Sequence, residues 1–150
     1  MVDIVSPEKR SQMMSGIRSK NTRPELIIRK HLHKKGFRYR LHVKNMIGKP
    51  DMVFPRYHAV IFIHGCFWHG HPDCHLFKLP KTRTEFWNDK INRNRKNDNN
   101  SICSLLNSGW RVAIVWECSI RGKNANIHDV IEKIVEWLHS KQENFIDIRG

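Results

Sequence analysis

The fold is decided by the stretch 51–63, which is DMVFPRYHAVIFI. It contains two apolar runs, Asp51–Phe54 and Tyr57–Ile63, and Pro55-Arg56 separates them. Two short apolar runs broken by a proline-containing turn are typical of a strand pair. The run from Ala59 to Ile63 is continuously apolar, which indicates a strand buried on both faces. We therefore expect residues 59–63 to form a central strand of a sheet.

Before this pair the sequence predicts a helix and a strand. Thr22 is a suitable N-cap, Glu25 completes a capping box with it, and Gly36 should follow the end of the helix. Residues 37–43 alternate between apolar and polar side chains, which predicts a half-buried strand. Residues 45–50 are expected to form a turn.

After the pair, residues 64–80 are rich in His and Cys and are expected to be irregular. A long helix is predicted from Thr84 to about Asn107, and its wholly polar middle, 92–100, should face solvent or a partner. A buried strand at 111–116 follows, and apolar residues with helical period predict a last helix from Ile127 to Leu138.

This order of elements predicts an α/β fold, a mixed β-sheet flanked by helices. A chain of 150 residues suits one domain with one core. We expect a single domain over 1–150, divided into a basic N-terminal arm at 1–22, a core at 23–140 and a tail at 141–150.

The charge of the chain indicates a polyanionic partner. The net charge is +13, and residues 1–50 alone carry 13 Lys/Arg against 3 Asp/Glu. Such an excess favours nucleic acid, because neutralising phosphates releases condensed counterions. No apolar run reaches the ~20 residues of a membrane span, and Met1-Val2-Asp3 does not begin a secretory signal. We expect a soluble, intracellular protein without a disulfide framework.

A compact set of metal-ligand types predicts a zinc site. Cys66, His71 and Cys74 lie within nine residues and fit tetrahedral Zn²⁺. Cys118, just after a predicted strand, could supply the fourth ligand, with His75 and His69 as alternatives. Cys103 lies between the helical apolar residues Ile102 and Leu105, and we interpret it as a core cysteine. Four protein ligands would make the zinc structural rather than catalytic.

A second pattern suggests nuclease chemistry. Pro50-Asp51 at a strand start is similar to the first half of a Pro-Asp…(Asp/Glu)-x-Lys motif, in which a carboxylate holds Mg²⁺ against a phosphate. The second half is missing, because the strand that ends at Ile63 is followed by His64 instead of an acid and a lysine. On its own Pro50-Asp51 is a weak signal, and the interpretation of Asp51 as a turn residue is favoured.

Taken together, these residues resemble the very-short-patch repair mismatch endonucleases over roughly residues 8–122. The resemblance is carried by GKPD at 48–51, VIFIHGCFWH at 60–69, TRTEFW at 82–87 and GWRVAIVWEC at 109–118. The spacing from His71 to Cys74 is one residue longer than in the best-known member of that family, so the ligands are assigned by type.

The resemblance implies a restriction-endonuclease-like core and cleavage of duplex DNA 5′ of the thymine in a T·G mismatch. It implies that the fourth zinc ligand is Cys118. It also implies Mg²⁺ held by Asp51 and the backbone carbonyl of Ile63, with His69 as general base and with Glu25 and His64 in the site. Glu25 could instead be only a helix cap, and His64 only a structural hydrogen-bonding residue. An imidazole that titrates near neutrality would explain why no lysine is needed.

Three aromatic residues are expected to enter the base stack beside the mismatch. Phe67 and Trp68 lie between a zinc ligand and the expected base, and Trp87 begins a helix with a polar, basic face; core packing is their alternative role. The resemblance adds Met14 from the basic arm, acting from the opposite groove. It further implies a monomer in the bacterial cytoplasm, associated with the nucleoid. Its target would be made by deamination at the site of a companion cytosine-5 methyltransferase.

Two other functions are compatible with the residues. A restriction endonuclease would also use Mg²⁺ and Asp51 but would cut both strands of a matched site. A zinc-ribbon DNA-binding regulator would leave DNA intact. The run Phe67-Trp68-His69 beside Asp51 favours the enzymes.

Overall fold

The computed structural model describes residues 22–150. Residues 1–21, which include Met14 and all of the expected arm at 1–22 except Thr22, lie outside the described residues. The described chain forms four α-helices and five strands. In chain order these are α1 (Arg23–Lys34), β1 (Arg40–Leu41), β2 (Met52–Phe54), β3 (Ala59–His64), α2 (Thr84–Asn107), β4 (Arg111–Trp116), α3 (Glu117–Ile120), α4 (Ile127–His139) and β5 (Phe145–Ile148). Among the helices of 22–150, none has the length and apolarity that crossing a membrane requires.

The strands form one mixed sheet in the order β1-β2-β3-β4-β5. The β1–β2 and β2–β3 pairs are antiparallel, whereas the β3–β4 and β4–β5 pairs are parallel. The strand pair predicted from 51–63 is confirmed, with a 3-10 turn at Pro55–Tyr57 between its strands. All six residues of β3 are buried, as expected for a central strand.

Helices cover both faces of this sheet. On one face, α1 and α4 bury side chains such as Leu32 and Ile134 against Ile61 and Val115. On the other face, Leu105 of α2 and the Cys/His loop pack against Val60, Phe62 and Ile114. The alternation along β3 therefore divides one apolar run between two cores. The predicted mixed α/β architecture is confirmed.

Two predictions about the sheet edges were wrong. The strand expected over 37–43 is reduced to Arg40–Leu41. It ends there because His42 has φ +54°, which turns the backbone out of the extended conformation. The segment 141–150 was expected to be a tail, but it supplies β5, which extends the sheet beside β4. The helix bounds at 84–107 and the start of the last helix at 127 were predicted correctly.

Candidate active site

The carboxyl ends of β3 and β4 open into a cavity of about 1120 Å³. Parallel strands bring their carboxyl ends to the same edge of a sheet, so residues distant in sequence meet here. The lining includes most of the residues predicted to act in catalysis or base stacking, namely Glu25, Asp51, Ile63, His64, Phe67, Trp68 and His69. Asp98 and Glu117, which sequence reasoning did not select, also line it.

Asp51 lies just before β2 and faces the end of β3. Its Oδ2 accepts a 2.6 Å hydrogen bond from the Ile63 backbone N–H. Burial raises the pKa of the Asp51 carboxyl to about 7; the Ile63 hydrogen bond lowers it, and the nearby negative charge of Glu25 raises it further. A cation bound at this carboxylate would relieve the cost of burying its charge.

Glu25 is almost fully buried, in the first turn of α1. Its N–H donates to Thr22 Oγ1, which is the N-cap half of the predicted capping box, and its Oε1 accepts from the Thr22 hydroxyl. It also lines the cavity. Its Oε2 accepts a 2.7 Å bond from the guanidinium of Arg29, itself buried. Helix capping and a place in the site are therefore compatible for Glu25.

His64 and His69 are stacked, with ring centroids 3.8 Å apart and planes 2° from parallel. Burial, followed by the charges of His69 and His71, holds the pKa of His64 well below its usual range, so its ring is neutral. Within residues 22–150, the buried Nδ1 of His64 has no hydrogen-bond partner. His69 Nδ1 lies 2.6 Å from Oδ2 of Asp98 on α2.

The polar middle of α2 holds the loop that carries His69. Asn94 donates to the Trp68 carbonyl at 2.8 Å, and the Arg95 guanidinium donates to the Gly70 carbonyl at 2.6 and 2.9 Å. Together with Asp98, these residues recur at helical spacing and face the loop. The expectation that all of 92–100 faces solvent or a partner was therefore wrong for Asn94, Arg95 and Asp98. Their i, i+1, i+4 spacing, which places them on one side of the helix, could have predicted a shared contact surface.

Phe67, Trp68 and Trp87 form an aromatic cluster, with centroids 5.2 to 5.8 Å apart in tilted, edge-to-face pairs. None of the three is buried, and none belongs to the two apolar cores. The cluster is half-exposed, and Phe67 and Trp68 line the cavity. It therefore offers apolar faces beside His69 rather than filling the interior.

A second cluster brings together Cys66, His71, Cys74 and Cys118, whose ligand atoms all lie within 4.8 Å of one another. His71 Nδ1 is 3.6 Å from Cys66 Sγ and 3.5 Å from Cys118 Sγ. A tetrahedral ion at about 2.3 Å from sulfur and about 2.0 Å from nitrogen sets these atoms about 3.5 Å apart. Burial also lowers the pKa of His71 to about 4, so its ring is neutral, as metal binding requires. The donor set fits a metal ion.

The alternative ligands lie elsewhere. His75 is exposed, and its Nε2 accepts a hydrogen bond from the Lys123 N–H. His69 is hydrogen-bonded to Asp98, and neither histidine belongs to the four-residue cluster. Cys103, interpreted as a core cysteine, is exposed. That interpretation was wrong because position 103 lies on the helix beside, not on, the apolar stripe of Ile102 and Leu105.

Comparison with known proteins identifies the family. Residues 2–76 match the family described as DNA mismatch endonuclease Vsr. The chain is 41% identical over 139 residues to the DNA mismatch endonuclease Vsr of Escherichia coli, covering 92% of this chain and 88% of that protein. It is 50% identical over 120 residues to the type II nicking enzyme V.XorIIP of Xanthomonas oryzae pv. oryzae, covering 80% and 88%. It is 46% identical over 123 residues to the type II nicking enzyme V.NmeAIP of Neisseria meningitidis, covering 82% and 87%. The chain therefore belongs to the DNA mismatch endonuclease Vsr family and is a DNA endonuclease.

Proposed function

We propose that this protein nicks one strand of duplex DNA 5′ of the thymine in a T·G mismatch, in a magnesium-dependent reaction. The observation that carries the proposal is one cavity shared by a buried carboxylate, an Asp98–His69 pair and a half-exposed aromatic cluster. The core is proposed to be restriction-endonuclease-like within a single domain over 1–150. A monomer is proposed as the active form.

Magnesium is proposed to bind Asp51 and the backbone carbonyl of Ile63. The Ile63 N–H points to Asp51, and within a strand the N–H and C=O of one residue point to the same side. The carbonyl of Ile63 therefore faces the same edge as the carboxylate. When bound, Mg²⁺ would supply positive charge against the scissile phosphate. Glu25 completes the acidic side of this site.

His69 is the proposed general base. With Nδ1 directed to Asp98, its Nε2 is left to accept a proton from the attacking water. Asp98 holds the ring in one tautomer and orientation, which makes it a positioning residue. His64 stacks on one face of the His69 ring and is proposed to donate to the phosphate from its neutral ring.

Replacing Asp98 should slow nicking because Asp98 positions the proposed base His69. General bases contribute about 10²–10⁴-fold, so we expect His69→Ala to lower the single-turnover rate in this range and Asp98→Asn by about 10²-fold or less. In a double-mutant cycle, Asp98→Asn should cost nothing further once His69 is alanine. Asp89→Asn, at an exposed position of the same helix, is the matched control. Additive losses in the double variant would show that Asp98 does not act through His69.

The Cys/His cluster is proposed to hold structural zinc. Thiolate and imidazole are the ligands that Zn²⁺ prefers in closed four-coordinate sites. Cys66 and His71 flank the loop that carries Phe67, Trp68 and His69, so the ion would anchor both the base and the aromatic cluster.

Phe67, Trp68 and Trp87 are proposed to stack against the unpaired bases, with Met14 pressing from the opposite groove. A wobble pair is easier to unstack than a matched pair, so insertion is least costly at the mismatch.

Trp68→Ala should reduce the selectivity for mismatched over matched duplex more than it reduces the overall affinity for DNA. Base–aromatic stacking contributes about 1–3 kcal/mol per base, so the preference for T·G over T·A duplex should fall about 5- to 150-fold. The fluorescence of 2-aminopurine beside the mismatch should no longer rise on binding. Phe145→Ala, at an exposed aromatic residue of β5, is the control. Unchanged selectivity with a lowered melting temperature would make Trp68 a packing residue.

The function itself is tested with duplexes labelled on both strands, containing T·G or matched pairs within randomised flanks. The expected product is one nick on the thymine strand that requires Mg²⁺. Cleavage of both strands of matched DNA would favour a restriction endonuclease, and binding without cleavage would favour a non-catalytic zinc regulator.

A further inference from the structure

The strand that sequence reasoning missed, β5, ends beside the Cys/His cluster. It runs parallel to β4 with Val115 opposite Ile148, so the residues after both strands emerge at the same edge of the sheet. Cys118 follows β4 closely, and Arg149-Gly150 follows β5. Three residues of this region are linked to the cluster: Gly150 by a direct contact, and Asp147 and Arg149 through neighbouring residues.

The first contact is made by Gly150, whose N–H donates to the Sγ of Cys118 at 3.3 Å. The approach is so close that a Cβ at position 150 would collide with the Cys118 carbonyl oxygen and lie 2.8 Å from its carbonyl carbon. Backbone atoms cannot yield as a flexible side chain can. Glycine at 150 is therefore what lets this N–H reach the sulfur.

The other two contacts reach two further ligand-type residues, Cys74 and His71, indirectly. The guanidinium of Arg149 donates to the carbonyl of Asp73 at 2.7 Å, next to the ligand-type residue Cys74. Asp147 accepts a 3.1 Å hydrogen bond from Trp116 Nε1. The Trp116 ring in turn stacks on His71, with centroids 3.9 Å apart and planes 8° from parallel.

We propose that Asp147, Arg149 and Gly150 form an outer clasp that positions the ligands of the metal site and retains the ion. The inference rests on the proposed structural zinc. N–H donors to a metal-bound thiolate fix its orientation and offset its negative charge, and loss of such outer partners typically costs about 10–100-fold in metal affinity. The coupling is reciprocal, so the ion should also hold the edge strand β5 on the sheet.

The test measures zinc release from the full-length, zinc-loaded protein into a chromogenic chelator. Gly150→Ala and Arg149→Ala should each release zinc about tenfold faster or more than the unsubstituted protein. Gly36→Ala is the matched control, because Gly36 has φ +95° but nothing within 4 Å of its Cβ position. That control should lower the melting temperature through backbone strain without speeding zinc release.

Hydrogen exchange gives a readout that does not depend on activity. Removing zinc should speed hydrogen exchange of the β5 amides more than that of the α4 amides. In the zinc-loaded protein, Arg149→Ala should raise the β5 exchange rate part of the way toward that of the zinc-free protein. If neither variant changes the release rate by more than twofold, or if β5 exchange is indifferent to zinc, the clasp is refuted. A protein that retains no zinc equivalent on purification would instead refute the proposed zinc site itself. If Gly150→Ala does not fold, the zinc-release rate of Arg149→Ala alone decides whether the clasp exists.

Discussion

Asp51→Asn is expected to lower the nicking rate on T·G duplex by about 10³-fold or more. The charge stabilisation supplied by a catalytic metal is worth several kcal/mol, and each ~1.4 kcal/mol corresponds to a factor of ten in rate. Asparagine keeps the shape and can still accept the hydrogen bond from Ile63, but it removes the charge that is proposed to hold Mg²⁺. Binding to mismatched duplex should change little, because most of the affinity comes from phosphate contacts.

Stability separates a catalytic role of Asp51 from a structural one. Its folded-state pKa is raised to about 7 by burial, so in Mg²⁺-free buffer its contribution to stability falls as pH rises from about 4 to about 7. The Asn variant lacks this loss. Its melting temperature should therefore equal or exceed that of the unsubstituted protein, with the difference growing toward pH 7. Asp129→Asn, at an exposed position of α4, is the control; near-normal nicking by Asp51→Asn would exclude Asp51 as the ligand.

The parts of the fold predicted from sequence are those with strong local patterns. Three of these are the 51–63 run, the capped helix at Thr22 and the long helix at 84–107. Each combines a strong apolar pattern, continuous in the first and periodic in the helices, with a clear boundary. Strand β5 was missed because a four-residue edge strand buries only Ile148 and leaves Phe145 and Asp147 exposed, so its alternation is too short to distinguish from a tail. Its place is determined by pairing with β4, a long-range contact.

The candidate site likewise contains residues that the sequence predicted and residues that it did not. Ligand types at short spacing, Cys66, His71 and Cys74, were visible in the sequence, whereas the choice of Cys118 over the alternatives depended on the family resemblance. Asp98 was missed because a polar residue amid the polar middle of a helix looks solvent-facing. Only the docking of α2 against the loop turns it toward His69, and that docking depends on the tertiary fold.

Cys118→Ser is expected to reduce bound zinc to well below one equivalent and to lower the melting temperature by about 10 °C. A 1,000-fold weaker metal site corresponds to about 4 kcal/mol of lost stabilisation, and in a chain of this size each kcal/mol shifts the melting temperature by about 2–4 °C. The loss should be that large because Cys118 is buried between His71 and Gly150. Without an ion, the cluster cannot anchor the loop that carries Trp68 and His69.

Cys103→Ser is the matched control, since it makes the same chemical change at an exposed cysteine on α2. It should keep one zinc equivalent and an unchanged melting temperature. A zinc chelator should lower the melting temperature of the control to that of Cys118→Ser, and should have no further effect on Cys118→Ser, because both routes remove the same ion. Nicking lost in Cys118→Ser should not return with added Mg²⁺, since the defect lies in the position of His69. A Cys118→Ser protein that keeps full zinc and stability would show that this thiolate is not a ligand.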